Sequence, residues 1–227
     1  MDSREIIAKL RAHSSPEAVQ GMARFGINPR NTLGVSVPRI RALAREIGRD
    51  HRLAGELWAS GIHEARILAP MIDDPELVTP NQMEDWAKDF DSWDVCDQCC
   101  SNLFDKTTVA HQMALAWASR KEEFVKRAGF ALMAALAVHD KNASDNQFRK
   151  FLPLIMREST DQRNFVKKAV NWALRQIGKR NRVLNREAIK TAKEIKKRDS
   201  STARWIASDA IRELTGSAVQ KKLRKRG

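Results

Sequence analysis

The chain contains no tyrosine, and its 227 residues include only three cysteines, Cys96, Cys99 and Cys100. Three thiols within about one helical turn are too few and too close for a disulfide framework. They also lack a second ligand pair or histidines at zinc-finger spacing, so they read as small buried helix-face residues, with no metal site expected. The five histidines are scattered and are given no role. No apolar run approaches the ~20 residues of a membrane span. The first eleven residues read as an amphipathic helix, where a signal peptide would show a basic segment followed by an apolar stretch. A soluble, cytoplasmic chain with no membrane partner is the expectation. Strand alternation is missing as well, which leaves helical periodicity in nearly every segment.

Charge is present in quantity and unevenly placed. The net charge is +13, yet residues 1–146 carry 18 basic and 21 acidic side chains. Residues 147–198 carry 16 basic and 4 acidic, and the remainder 7 against 3. A basic excess concentrated in one part of a folded chain points to a polyanion such as a nucleic acid backbone, simple solvation being the alternative.

Short polar or proline-containing stretches interrupt the helical pattern, among them Ser14-Ser15-Pro16, Asn28-Pro29-Arg30-Asn31, Asp73-Asp74-Pro75, Asn142-Ala143-Ser144-Asp145 and Arg198-Asp199-Ser200. About a dozen helices of one to four turns fit between them, so the expected class is all-α. Segments beginning at Glu64, Phe124, Phe165 and Thr202 look like one theme. Taking Arg66, Asp97, Arg127, Lys168 and Arg204 as equivalent positions gives steps of 31, 30, 41 and 36 residues. Such steps suit HEAT-like helix pairs stacked as a curved solenoid with a basic concave groove, a compact irregular helical domain being the alternative. The expected organisation is one repeat domain over 1–220 and a basic tail over 221–227, which is either a mobile solvated end or an extra backbone contact.

The most distinctive stretch is Ser92-Trp93-Asp94-Val95-Cys96-Asp97. Asp91 or Ser92 can cap a helix there, and Trp93 and Asp97, four apart, share a face that Cys100 and Phe104 continue. A carboxylate in an aromatic and apolar row either pairs with an arginine or holds negative charge where a reaction develops positive charge. In residues 164–179, Val166, Val170, Ala173 and Ile177 form the core stripe. Trp172 lies opposite among Lys168, Arg175 and Gln176, with Lys179 beyond. That set offers cations for phosphate and a flat face for sugar or base, or else a tryptophan filling a gap between repeats. Arg127 shares its face with Phe124, Phe130, Ala131 and Ala134, so it needs an anion, either Asp97 or a ligand phosphate. Gly34, followed by Ser36 as cap and Pro38 in a first helical turn, reads as a turn between helices; as a lone glycine it is no phosphate loop.

Phe25-Gly26-Ile27, the run from Gly34 to Arg41, Trp93 to Asp97, Phe124 to Arg127 and Val166 to Arg175 together resemble the HEAT-like DNA alkylation repair proteins, the AlkD-like alkylpurine DNA glycosylases. The family's active members have a Trp-x-x-x-Asp pair, an arginine on a later helix and a second tryptophan later still. Trp93, Asp97, Arg127 and Trp172 match in that order. The resemblance implies hydrolysis of the N-glycosidic bond of N3- or N7-alkylated purines in double-stranded DNA, with the damaged base left stacked. It further implies Asp97 at the sugar cation, Trp93 and Trp172 flanking the deoxyribose, and Arg127 on a phosphate. Lys168, Arg175 and Lys179 are expected as further DNA contacts from their place around Trp172 on the helix. No metal, cofactor or Schiff-base lysine is implied, and nothing demands an oligomer or an obligate protein partner. Two other classes remain beside it: a non-catalytic helical-repeat module that binds DNA, and a protein-binding scaffold with an acidic partner.

Overall fold

The computed structural model describes residues 1–225. Its fifteen α-helices are α1 (Ser3–Arg11), α2 (Pro16–Arg24), α3 (Val37–Ile47), α4 (His51–Ala59), α5 (His63–Ile72), α6 (Pro80–Lys88), α7 (Trp93–Asn102), α8 (Ala110–Trp117), α9 (Glu123–His139), α10 (Asp145–Arg149), α11 (Leu152–Glu158), α12 (Asn164–Gly178), α13 (Arg182–Lys196), α14 (Ser201–Thr215) and α15 (Ser217–Arg224). No strand occurs among the described residues, and no helix is long and apolar enough to cross a membrane. Polar residues start these helices as capping chemistry requires. Asp2 and Glu5 form a reciprocal capping box on α1, while the side chains of Ser15, Asp50, Thr79, Asn181 and Ser200 accept amide hydrogens of α2, α4, α6, α13 and α14.

Within the span 1–220 expected as one repeat domain, contacts group into two compact units, Met1–Thr107 and a second from Thr108 onward. In the first, α5 packs against α3, α4 and α7 and buries almost its whole circumference. Trp58 and Trp86 stack face to face with ring centroids 4.1 Å apart, and Phe90 and Phe104 close round them at 6.0 and 6.2 Å. The loop between α2 and α3 is tied down by a buried charge. Glu64 of α5 is fully buried and accepts the consecutive amides of Leu33, Gly34 and Val35 at 2.9, 2.6 and 3.2 Å. Gly34 has φ +82°, and a Cβ there would lie 2.4 Å from the Ser15 carbonyl oxygen, so only glycine lets the loop reach the carboxylate. Gly34 therefore belongs to a turn, as its sequence suggests, and its amides are already taken by an internal anion.

In the second unit α9 is the central rod. It is buried from Val125 to Ala137 because small residues let its neighbours approach on every side. At Gly129 an added Cβ would be 2.5 Å from the Ala118 amide nitrogen, which marks the close crossing with α8. The other side of α9 packs on α12, and α12 in turn packs on α13 and α14. The tail expected from residue 221 starts inside α15, where Leu223 is buried; its last two residues lie outside the described part of the chain.

Candidate functional site

Trp93 is the first residue of α7, and Asp97 follows one turn later. Both are half-buried, above a floor of Val95, Cys96, Cys99 and Cys100 that is closed to solvent. The expected cap is absent here: Ser92 stands at the N-cap position, but its hydroxyl accepts the Asn28 amide at 2.9 Å. Asp91 is used in the same way, accepting the Asn28 side-chain amide at 2.8 Å. The loop after α2 therefore clamps the start of α7, and the Trp93 indole joins it by donating to the Phe25 carbonyl at 3.1 Å. The helix ends at Asn102, so Phe104 lies in a following 3-10 turn and does not continue the stripe of Trp93 and Asp97 on α7.

A second fastening comes from α5. His63 and Asp94, both buried, meet at 2.9 Å and join the first turns of α5 and α7. Burial works to lower the His63 pKa, but the hydrogen bond and charge of Asp94, helped by Glu64 and Asp91, raise it above the ordinary 6.5. The sequence pattern by itself gives this histidine no role. The clue available was His63 opening one helix and Asp94 opening the next of the same theme. Burial also drives the Cys99 and Cys100 thiols well above their ordinary value, with the Asp97 charge contributing at Cys100. They are packing residues and not nucleophiles.

In the second unit Arg127 is only 5% exposed, and its Nη1 donates to the Phe165 carbonyl at 2.7 Å, which links α9 to the start of α12. Beside it Lys126 is held by Glu158 at 2.6 Å and Asp161 at 3.3 Å. On α12 the core stripe is as the spacing indicates, with Val166, Val170, Ala173 and Ile177 fully buried. Trp172 is half-buried on the opposite side and Lys168 is exposed. Lys168 has no ion pair among the described residues.

Arg175 and Lys179, expected as DNA contacts, already have protein partners. Arg175 pairs with Glu213 and lies 3.6 Å from Asp209, and Lys179 reaches Glu213 at 2.6 Å. Asn171, one turn before Arg175, donates to Asp209 at 2.7 Å. Burial would raise the Glu213 pKa, but the bonds from Lys179 and Arg175 hold it below its ordinary value. The row Asn171, Arg175, Lys179 thus faces the acids of α14. The signal in the sequence was Asp209 and Glu213, four apart on one helix face.

The family model described as DNA alkylation repair enzyme matches residues 6–214. The chain belongs to that family. Among solved structures it is similar to a protein described as representing a new family related to the HEAT-like repeat DNA glycosylases, with affinity for branched DNA structures. The TM-score is 0.79 at 21% identity, over 95% of this chain and 97% of that one. This likeness establishes the HEAT-like all-α fold. A designed armadillo repeat protein in complex with a peptide (KR)4 aligns at a TM-score of only 0.40 and 13% identity, over 82% of this chain and 79% of that one. No curated protein sequence matches. For this member of the DNA alkylation repair enzymes, the expected residues divide between the units. Trp93 and Asp97 lie in the first, and Arg127, Lys168, Trp172, Arg175 and Lys179 in the second.

Proposed function

We propose that this protein is a DNA glycosylase that hydrolyses the N-glycosidic bond of N3- or N7-alkylated purines in duplex DNA. The observation that carries the reading is the Asp97 carboxylate, half-buried one turn after Trp93 over a solvent-free floor, in a chain of the DNA alkylation repair family. An N3- or N7-alkylpurine already carries positive charge and departs with the bonding electron pair as a neutral base. What remains is cationic at the anomeric carbon until water adds there and gives up a proton. A fixed carboxylate beside that carbon lowers the barrier, since its attraction is greatest when the sugar charge is fully developed. Trp93, one turn before Asp97, would shield the deoxyribose from bulk water, and its ring face favours a cation. Arg127 and Lys168 would hold backbone phosphates. The reaction as proposed asks for no cofactor and no Schiff-base lysine, so the proposal is of a monofunctional enzyme.

A second reading, DNA binding without chemistry, draws on the description of the similar solved structure by its affinity for branched DNA. Quantifying free base and abasic strand from a duplex with one N7-methylguanine, and from one with N3-methyladenine, separates the two. Release above the rate of free DNA supports the glycosylase. Salt-dependent binding with no added release on either duplex supports the binding module.

A further inference from the structure

Trp205 is the most exposed of the six tryptophans, with 44% of its surface open, although its helix α14 has a complete apolar face without it. That face consists of Ala203, Ile206, Ala207, Ala210 and Leu214, all fully buried. The core of α12 fits the same pattern 37 residues earlier: Val166, Val170, Ala173 and Ile177 correspond to Ala203, Ala207, Ala210 and Leu214. The N-caps, Arg163 and Ser200, differ by the same interval. In this register Trp205, and not Arg204 as the sequence steps suggest, stands where Lys168 stands on α12. It is the fifth residue after its N-cap, as Asp97 and Arg127 are after Ser92 and Glu122.

The surroundings of the ring are basic. Lys167 of the packed neighbour α12 places its Nζ 5.7 Å from the ring centroid. Lys168, Arg204 and Arg212 are exposed on the same two helices. The acids nearby are Asp199, 3.4 Å from Arg204, and Asp209, which is engaged by Asn171 and Arg212. The apolar face of α14 is complete without the indole, which leaves 44% of the Trp205 surface open to a ligand. Cations around it attract phosphate, and the ring supplies the flat apolar face on which a base stacks. A paired base within a duplex has both faces covered by its neighbours, so the chemistry selects a base that is unstacked.

We infer that Trp205, with Lys167 and Lys168, forms a stacking site for an unpaired nucleotide in DNA. The inference rests on the DNA-binding reading above and extends it to a structural feature of the ligand. The lysines take the flanking phosphates while the indole takes the base, so the contribution of the ring is confined to DNA that offers a free base.

The test measures equilibrium binding of the full-length wild type, Trp205→Ala and Trp205→Phe to two probes, a fully paired duplex and the same duplex with a single-nucleotide bulge. Thermal melts confirm that the variants fold. Trp205→Ala should lose roughly 5- to 150-fold on the bulged duplex, the range for loss of one base–aromatic stack, and less than twofold on the paired one. Trp205→Phe should recover most of the loss. Equal affinity of Trp205→Ala and wild type for the bulge, or the same loss on both probes, overturns the stacking site while leaving DNA binding intact. Failure of the wild type to bind either probe overturns the DNA-binding reading itself, and this inference with it.

Discussion

The imidazole of His63 and the carboxylate of Asp94 meet at 2.9 Å inside the first unit, between the first turn of α5 and that of the helix that carries Asp97. Asp94 lies three positions before Asp97 on α7, so the pair fixes the helix at the end where the candidate carboxylate stands. The raised His63 pKa gives the sign of the pH effect. A group that binds its proton more tightly when folded contributes stability in full below its unfolded pKa of 6.5 and loses it as pH rises through the folded value. Urea melts of wild type and His63→Ala should therefore differ most at pH 5.5, and the gap should narrow steadily above 6.5. A gap independent of pH would mean that the protonated histidine contributes nothing.

Lys168 and Arg175 are predicted to behave differently, although both lie on the basic side of α12. Lys168 is exposed and unpaired among the described residues, so Lys168→Ala should weaken DNA binding and reduce the salt slope by about one, with an unchanged melting temperature. Arg175 is held by Glu213 and Asp209, so Arg175→Ala should lower stability by removing one cation from two partly buried acids, which keep only Lys179 on Glu213 and Asn171 with Arg212 on Asp209. Melting curves with binding isotherms at several salt concentrations check both. Equal effects of the two variants on salt slope would contradict the assignment.

Gly34→Ala should cost about 1–3 kcal/mol in a urea melt, because the new Cβ meets the Ser15 carbonyl at a positive φ and pulls the loop from Glu64. Gly21→Ala is the control. Its Cβ meets nothing within 4 Å in the middle of α2, and the change should be neutral or stabilising by about 0.5 kcal/mol. A destabilisation at Gly34 no larger than at Gly21 would contradict the loop's dependence on that carboxylate.

How legible these features were depends on whether a single helix decides them. The α12 stripe of Val166, Val170, Ala173 and Ile177 and the placement of Trp93 with Asp97 follow from a 3.6-residue period, and sequence suffices for both. Capping at Ser92 and Ser36 was less secure. Position selects the N-cap residue, but Ser92 finds a partner 64 residues away in Asn28, and Ser36 makes no side-chain cap bond. Arg175 and Lys179 show the same limit. A cation beside a tryptophan reads as a ligand contact until the neighbouring helix is seen to bring Glu213 within 2.6 Å of Lys179. The step from Lys168 to Arg204 was one residue short for a related reason: its phase is set by buried side chains of two helices and not by likeness of charge.

The buried thiols supply a simple check on the first unit. With Cys96, Cys99 and Cys100 all closed to solvent, and Cys99 and Cys100 held well above their ordinary pKa, an aromatic disulfide reagent at pH 8 should label none in the native protein. All three should react in denaturant. Rapid native labelling would show that the floor beneath Asp97 opens readily.

The most direct test of the glycosylase reading is single-turnover release of N7-methylguanine by wild type and Asp97→Asn, with the affinity of each for the same duplex measured in parallel. The account predicts that the wild type releases base well above the spontaneous rate. Asp97→Asn should lose at least 100-fold of that release, consistent with removal of one electrostatic transition-state contact, while its affinity for the duplex stays equal or improves. Release by Asp97→Asn at the wild-type rate, or no release by the wild type above free DNA, would contradict it.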